Sequence, residues 1–401
     1  MKLYKVLKSL LKPFFPEFLW LDLKKRYVQN ISEHYSLIKK PEDVFERLYH
    51  IKDITLEKMY APTVLGRVKE RTYEIMSPSL DIWLVQDAIV CQNSDVIRCN
   101  AGVWWDKYND YDFMTRAKPC DKNILSYTTE DMYVLPCHEK VKIQGVALSL
   151  LGVFVHVWSH FVFQYLCKLY YAGEAGLLNQ NITILIYDYA DKNINEILEN
   201  YLVRYPKVKI IRTQANVDYY CEKLICAPAL ATNYNDARFS LDYGFVIPHI
   251  VIETLMRELV NPYTSKFKQE STKYTKLFLT RSSQRILSNK EEVLDYFRER
   301  GFCIVEGADL SMEEKASLFY NAKEIVGMHS SAWQNLIFCN NVRCLMMTNY
   351  RYSTETCFYT MAKKHVAKWI NVTGIDESSE LKTNYYIPLD RIKAAYEELI
   401  R

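Results

Sequence analysis

Between Lys276 and Val372 the chain repeats one unit, a short apolar run followed by a stretch with apolar residues three and four apart. The apolar runs are KLFLTR, FCIVEG, KEIVGM, RCLMMTN and VAKWINV. Between them lie NKEEVLDYFRERG, SMEEKASLFYNA, SAWQNLIFC and TETCFYTMAKKH. Strands separated by helices run parallel, with the helices covering both faces of the sheet. This predicts a doubly wound parallel sheet of about five strands. The same grammar occurs once upstream: NITILIYDYA, NINEILENYLVRYP and KVKIIRTQ form a strand–helix–strand unit. A chain of 401 residues exceeds the size of one ordinary core, so two domains are expected. The polar stretch NPYTSKFKQESTKYTK marks the join, which predicts domains over 31–262 and 263–401. Two Rossmann-like halves suggest ligands in a cleft between them, beyond the carboxyl ends of the strands.

Other stretches predict the remainder of the first half. Residues 31–75 read as polar helices and connectors, with KPEDVFERLYHI opening a capped helix. DIWLVQDAIV and DVIRCNAGVWWD read as strands in a meander with a turn at Asn93–Asp95, and 118–139 as loop. HIVIETLMRELV and the stretch 158–172 read as helices. The first 30 residues carry seven Lys/Arg against two acids. Leu3, Val6, Leu7, Leu10 and Leu11 fall on one helical face, and Phe14, Phe15, Phe18 and Trp20 follow. That pattern predicts a basic amphipathic segment lying on an anionic membrane surface, not a secretory signal or a spanning helix.

A net charge of +3 does not suggest a nucleic-acid binder. The 11 cysteines have no zinc-type spacing and read as reduced, packed thiols. No G-x-G-x-x-G is present, which argues against a dinucleotide site. His156 and His160 are spaced as in H-x-x-x-H metal sites, but Val157 stands where a zinc protease has Glu, so no metal site is expected. Asp110 and Asp112 read as a solvated turn.

The chemistry concentrates at the strand ends. Arg281 closes KLFLTR and Arg285 follows in the loop; their planar forks suit phosphate oxygens. Gly327 and His329 close a later strand, and Ser330 and Ser331 follow at a helix start. Small residues and free N–H groups there suit a phosphate, with His329 adding one hydrogen bond and Asn335 anchoring the loop. His160, an imidazole at a helix start, is a candidate general base, with Asp236 as an alternative.

This constellation resembles glycosyltransferase family 61 over roughly residues 80–375. The matching positions are Arg281, Arg285, Leu310, Ser311, Glu314, Gly327, His329 and Asn335, with His160 and Phe161 upstream. The chain departs from the family pattern at Ser330-Ser331, at Gln164, and at Met346, where a glutamate is usual. The resemblance implies an α/β, GT-B-like fold of two Rossmann-like domains facing a central cleft. It implies an inverting transfer from a nucleotide-sugar donor to a glycan acceptor, without a metal ion or other cofactor. Together with the basic start, it suggests surface polysaccharide (capsule or lipopolysaccharide) synthesis at the inner face of the cytoplasmic membrane, with a lipid-linked glycan as acceptor. The alternatives are a degenerate, non-catalytic scaffold or a different GT-B nucleotide-sugar enzyme.

Overall fold

The computed structural model describes residues 28–105, 121–189, 191–228, 230, 232–233, 245–265, 267, 274–306, 310–377 and 383–401. The amphipathic segment up to residue 27, Asp110, Asp112 and Asp236 lie outside the described residues.

The second half folds as its alternation predicts. Strands Lys276–Thr280, Cys303–Glu306, Glu324–Met328, Val342–Thr348 and Val366–Thr373 are all parallel. Their order across the sheet is second, first, third, fourth, fifth, and a short sixth strand, Thr63–Val64, joins beside the fifth. Helices Lys290–Arg298, Met312–Asn321 and Leu389–Ile400 pack on it, each with an apolar stripe turned inward. Ser311 and Glu314 form a reciprocal capping box, which starts the second of these helices where the LS-x-x-E spacing predicts.

In that order the direction of winding reverses between the first and third strands. This is the topological switch point, where the flanking loops diverge and leave a crevice at the carboxyl edge. Arg281 follows the first strand and His329 the third, so both stand at the reversal.

The first half contains a sheet of eight strands. Glu139–Ser149, Ile182–Tyr187, Val208–Thr213 and Val217–Cys226 run parallel, in the order third, second, first, fourth. Leu80–Cys91 adds antiparallel to the last of these and is followed by the hairpin Ile97–Cys99/Gly102–Trp104. The predicted helix over 158–172 spans Trp158–Glu174, but its turns from Phe161 to Leu166 are π-helical, directly after His160. Wider turns of this kind recur at functional sites.

Residues 31–75 differ from their helical reading. Apart from a turn at 28–31 and a 3-10 turn at Pro41–Asp43, they form strands Glu33–Ser36, Glu46–Lys52, Thr55–Ala61, Thr63–Val64 and Arg71–Ser77. The competing signal was the two-residue period: in Thr55–Ala61, Glu57, Met59 and Ala61 are buried while Leu56 and Lys58 are exposed. ERLYHIK pairs with Leu80–Cys91, so sheet pairing overrides its weak helical preference. Part of 118–139, read as loop, is the hairpin Ile124–Tyr127/Asp131–Val134.

Core residues from both halves merge, and one apolar cluster runs from Leu80 through Phe161 and Ile184 to Ile325, Trp333 and Trp369. Among the described residues no helix is long and apolar enough to cross a membrane.

Candidate functional site

Arg281 is fixed at the switch point by backbone. Its Nε donates to Ser283 O (2.8 Å) and its Nη1 to His329 O (2.7 Å), tying the first strand's loop to the end of the third. Burial and the neighbouring charge of Arg285 push its pKa down to about 10. Among the described residues it has no carboxylate partner. Arg285 lies over the Tyr352 ring, with Cζ 4.7 Å from the centroid, and its Nε is buried without a partner. The loop that presents it is strained: Gln284 (φ 50°) and Arg285 (φ 49°) are both left-handed, although neither is glycine. Strain at consecutive residues persists where the surrounding structure enforces it, and it clusters at ligand clamps.

His329 extends the strand Glu324–Met328, its amide still donating to Met347 O (2.8 Å). Its ring lies parallel to that of Tyr352 at 4.8 Å. Its Nε2 contacts Glu355 Oε2, and both side chains are buried. Burial alone would raise the Glu355 carboxyl. The charge of His329 and hydrogen bonds from His329 and Cys357 outweigh it and hold the carboxyl below the usual range. His329 Nδ1 is buried and has no partner among the described residues, which leaves it open to a polar group of a ligand.

Orphaned polar atoms gather at this edge. Thr280 Oγ1, Ser330 Oγ, Asn335 Oδ1, Thr348 Oγ1, Asn349 Nδ2 and Thr356 Oγ1 are all buried with no partner among the described residues. Each such group costs roughly 1–3 kcal/mol if left unsatisfied. Their concentration beyond three adjacent strands marks a place built for a polar ligand.

Residues 331–338 form an eight-residue 3-10 helix instead of an α-helix. Runs of this length are uncommon in the 3-10 form. Trp333, fully buried, pins the turn by donating from Nε1 to Met328 O (3.0 Å). Ser330, extended, carries the chain into it, and Ser331 is half-buried in its first turn. Gly327 has a packing role: a Cβ there would come within 2.4 Å of Leu279 O, so the neighbouring strand, not a ligand, requires the glycine.

His160 is half-buried, with Nδ1 2.9 Å from Gln164 Oε1 and its ring 5.1 Å from that of Phe154. The short helical turn that bears it packs against the 3-10 helix after His329. His156 precedes that helix and lies against Tyr187, so the two histidines do not share a face. The one potential metal-ligating group among the described residues is Cys91, Cys137 and Asp218 in the first sheet, where Arg98 already pairs with Asp218.

Two site residues escaped the sequence reading. Glu355 and Tyr352 lie between the fourth strand and the next helix: Glu355 in the expected helix TETCFYTMAKKH, Tyr352 in the unassigned residues before it. The available signal was positional: an acid on the ligand side of a strand adjoining His329. Met346, where the family pattern has an acid, is an apolar core residue.

A half-buried arginine with no ion pair among the described residues, at the switch point of a doubly wound sheet, suits an anionic ligand. Residues 158–346 match the family model described as Glycosyltransferase 61, a span that holds His160, both arginines and His329. That match supports a glycosyltransferase enzyme. No curated protein matches the chain.

Proposed function

We propose that the protein is an inverting, metal-independent transferase that moves a sugar from a nucleotide-sugar donor to a hydroxyl of a surface-polysaccharide acceptor. The single observation that carries this reading is the pair of cations Arg281 and Arg285 beside His329 at the switch point. The donor diphosphate lies there. As the anomeric C–O bond breaks, negative charge grows on the leaving phosphate, and the guanidinium groups neutralise it. They supply charge that a divalent ion would otherwise bring. The sugar passes through an oxocarbenium-like transition state while an acceptor hydroxyl attacks from the opposite face. His160 takes that hydroxyl's proton, oriented by Gln164 through Nδ1.

The domains are a GT-B-like pair, residues 31–262 on the acceptor side and 263–401 on the donor side, facing a central cleft. Packing of the His160 turn on the 331–338 helix supports this pairing. The basic amphipathic start, residues 1–30, fits a site of action at the inner face of the cytoplasmic membrane on a lipid-linked glycan of capsule or lipopolysaccharide synthesis.

The test is transfer from UDP-, GDP- and CMP-sugars to membrane-extracted glycans in EDTA, with the product's anomeric configuration read by NMR. One donor class giving inverted product supports the reading; retained configuration, or dependence on added metal, overturns it.

A further inference from the structure

The buried face of helix Met312–Asn321 is Met312, Lys315, Ala316 and Phe319, the i, i+3, i+4, i+7 stripe that normally faces a core. Lys315 is 4% exposed and has no hydrogen bond or ion pair among the described residues. Its contact is with a ring, Nζ lying 5.1 Å from the centroid of Trp158. Asp191 and Glu196 act on it only at a distance, opposed by Lys192.

Three further orphaned groups lie on the elements that flank it, the Trp158 turn and the chain around Asp191 and Lys192. Trp158 Nε1, Tyr189 OH and Asn193 Oδ1 are buried and have no partner among the described residues. Tyr189 meets Phe161, one turn from Trp158, with ring centroids 5.3 Å apart, and Asn193 lies in the first turn of a helix capped by Asp191. All of these side chains come from the carboxyl-edge side of their sheets: Trp158, Asn193 and Lys315 from the starts of helices that follow parallel strands, Tyr189 from the loop after one. That is the ligand side of both sheets. The Lys315 helix and the Trp158–His160 turn also pack on the 3-10 helix that follows His329.

The geometry points to a second oxyanion subsite, formed by Lys315, Trp158 and Tyr189, that takes a carboxylate or phosphate carried by the acceptor. An ammonium and an indole N–H can only donate, which suits an anion. Asn193 Oδ1 is an acceptor and fits a hydroxyl beside it, as on a sugar acid. A glycan anchored there lies two residues from His160. The assignment to the acceptor rests on the transferase reading; the existence of the subsite does not.

The experiment titrates inorganic phosphate and glucuronate into the full-length protein by calorimetry. An Arg281→Ala/Arg285→Ala variant removes the donor-side anion site, and it should still bind one of the two probes. Adding Lys315→Met to it should weaken that binding about tenfold or more, as loss of a charge-assisted hydrogen bond does. Trp158→Phe should weaken it less, and Lys315→Arg should retain it. Without ligand, Lys315→Met should raise Tm, because an unpaired buried charge is removed. Binding of glucuronate assigns a carboxylate-bearing acceptor, and binding of phosphate a phosphorylated one. Three results would each overturn the subsite: no anion bound by the arginine variant, binding untouched by Lys315→Met, or a fall in Tm showing that Lys315 is structural. Nucleoside diphosphate binding separates the two readings, since it depends on the arginines and not on Lys315.

Discussion

Glu355 and His329 are the pair on which the site's charge turns. The carboxyl is held below the value of an ordinary glutamate, near 4.5. A depressed folded-state value contributes stability that is present above the unfolded value and lost as pH falls through the folded one. Denaturation at graded pH should therefore show a loss of stability below about 4.5, and Glu355→Gln should flatten that part of the profile. At neutral pH the same substitution breaks a buried pair and should cost roughly 3 kcal/mol. An unchanged acid limb in Glu355→Gln would remove the pair from the account. The histidine was legible in the sequence because it ends an apolar run before small residues. Its partner was not, because contact between loops after different strands depends on sheet order, and that order is not written locally.

Among the elements, the loop 281–285 and the strand Glu324–Met328 carry opposite backbone constraints. Gln284 is exposed and left-handed, a conformation that costs a non-glycine residue about 1–2 kcal/mol. Gln284→Gly should leave stability unchanged or raise it by up to about 1 kcal/mol, part of the relief being offset by unfolded-state entropy. Gly327→Ala places a Cβ against Leu279 and should cost about 1–3 kcal/mol in chemical denaturation. A neutral result at Gly327 would return that glycine to the ligand. Strands and helices of the second half were legible because apolar period and capping residues agree, as at Ser311 and Glu314. Residues 31–75 were not, because ERLYHIK has no strong local preference and becomes a strand only by pairing with Leu80–Cys91. The 3-10 form of 331–338 was also hidden: its composition is that of an ordinary apolar helix, and the Trp333–Met328 tie that accompanies it is tertiary.

At the scale of the whole molecule, the strand order second, first, third, fourth, fifth turns scattered residues into a site. Arg281 and His329 are 48 positions apart in the chain, yet the switch point puts a guanidinium nitrogen of one on the carbonyl of the other. The sequence announced a parallel sheet with chemistry at its strand ends; the meeting of those ends follows from topology alone. The most direct measurement is calorimetric titration of UDP, GDP and CDP, in EDTA, into the wild-type protein and the Arg281→Ala/Arg285→Ala variant. One nucleotide should bind the wild type without metal and lose at least about a hundredfold in affinity in the variant, two charge-assisted contacts being removed. Equal affinity in the two proteins, or binding that appears only when a divalent ion is added, would contradict it.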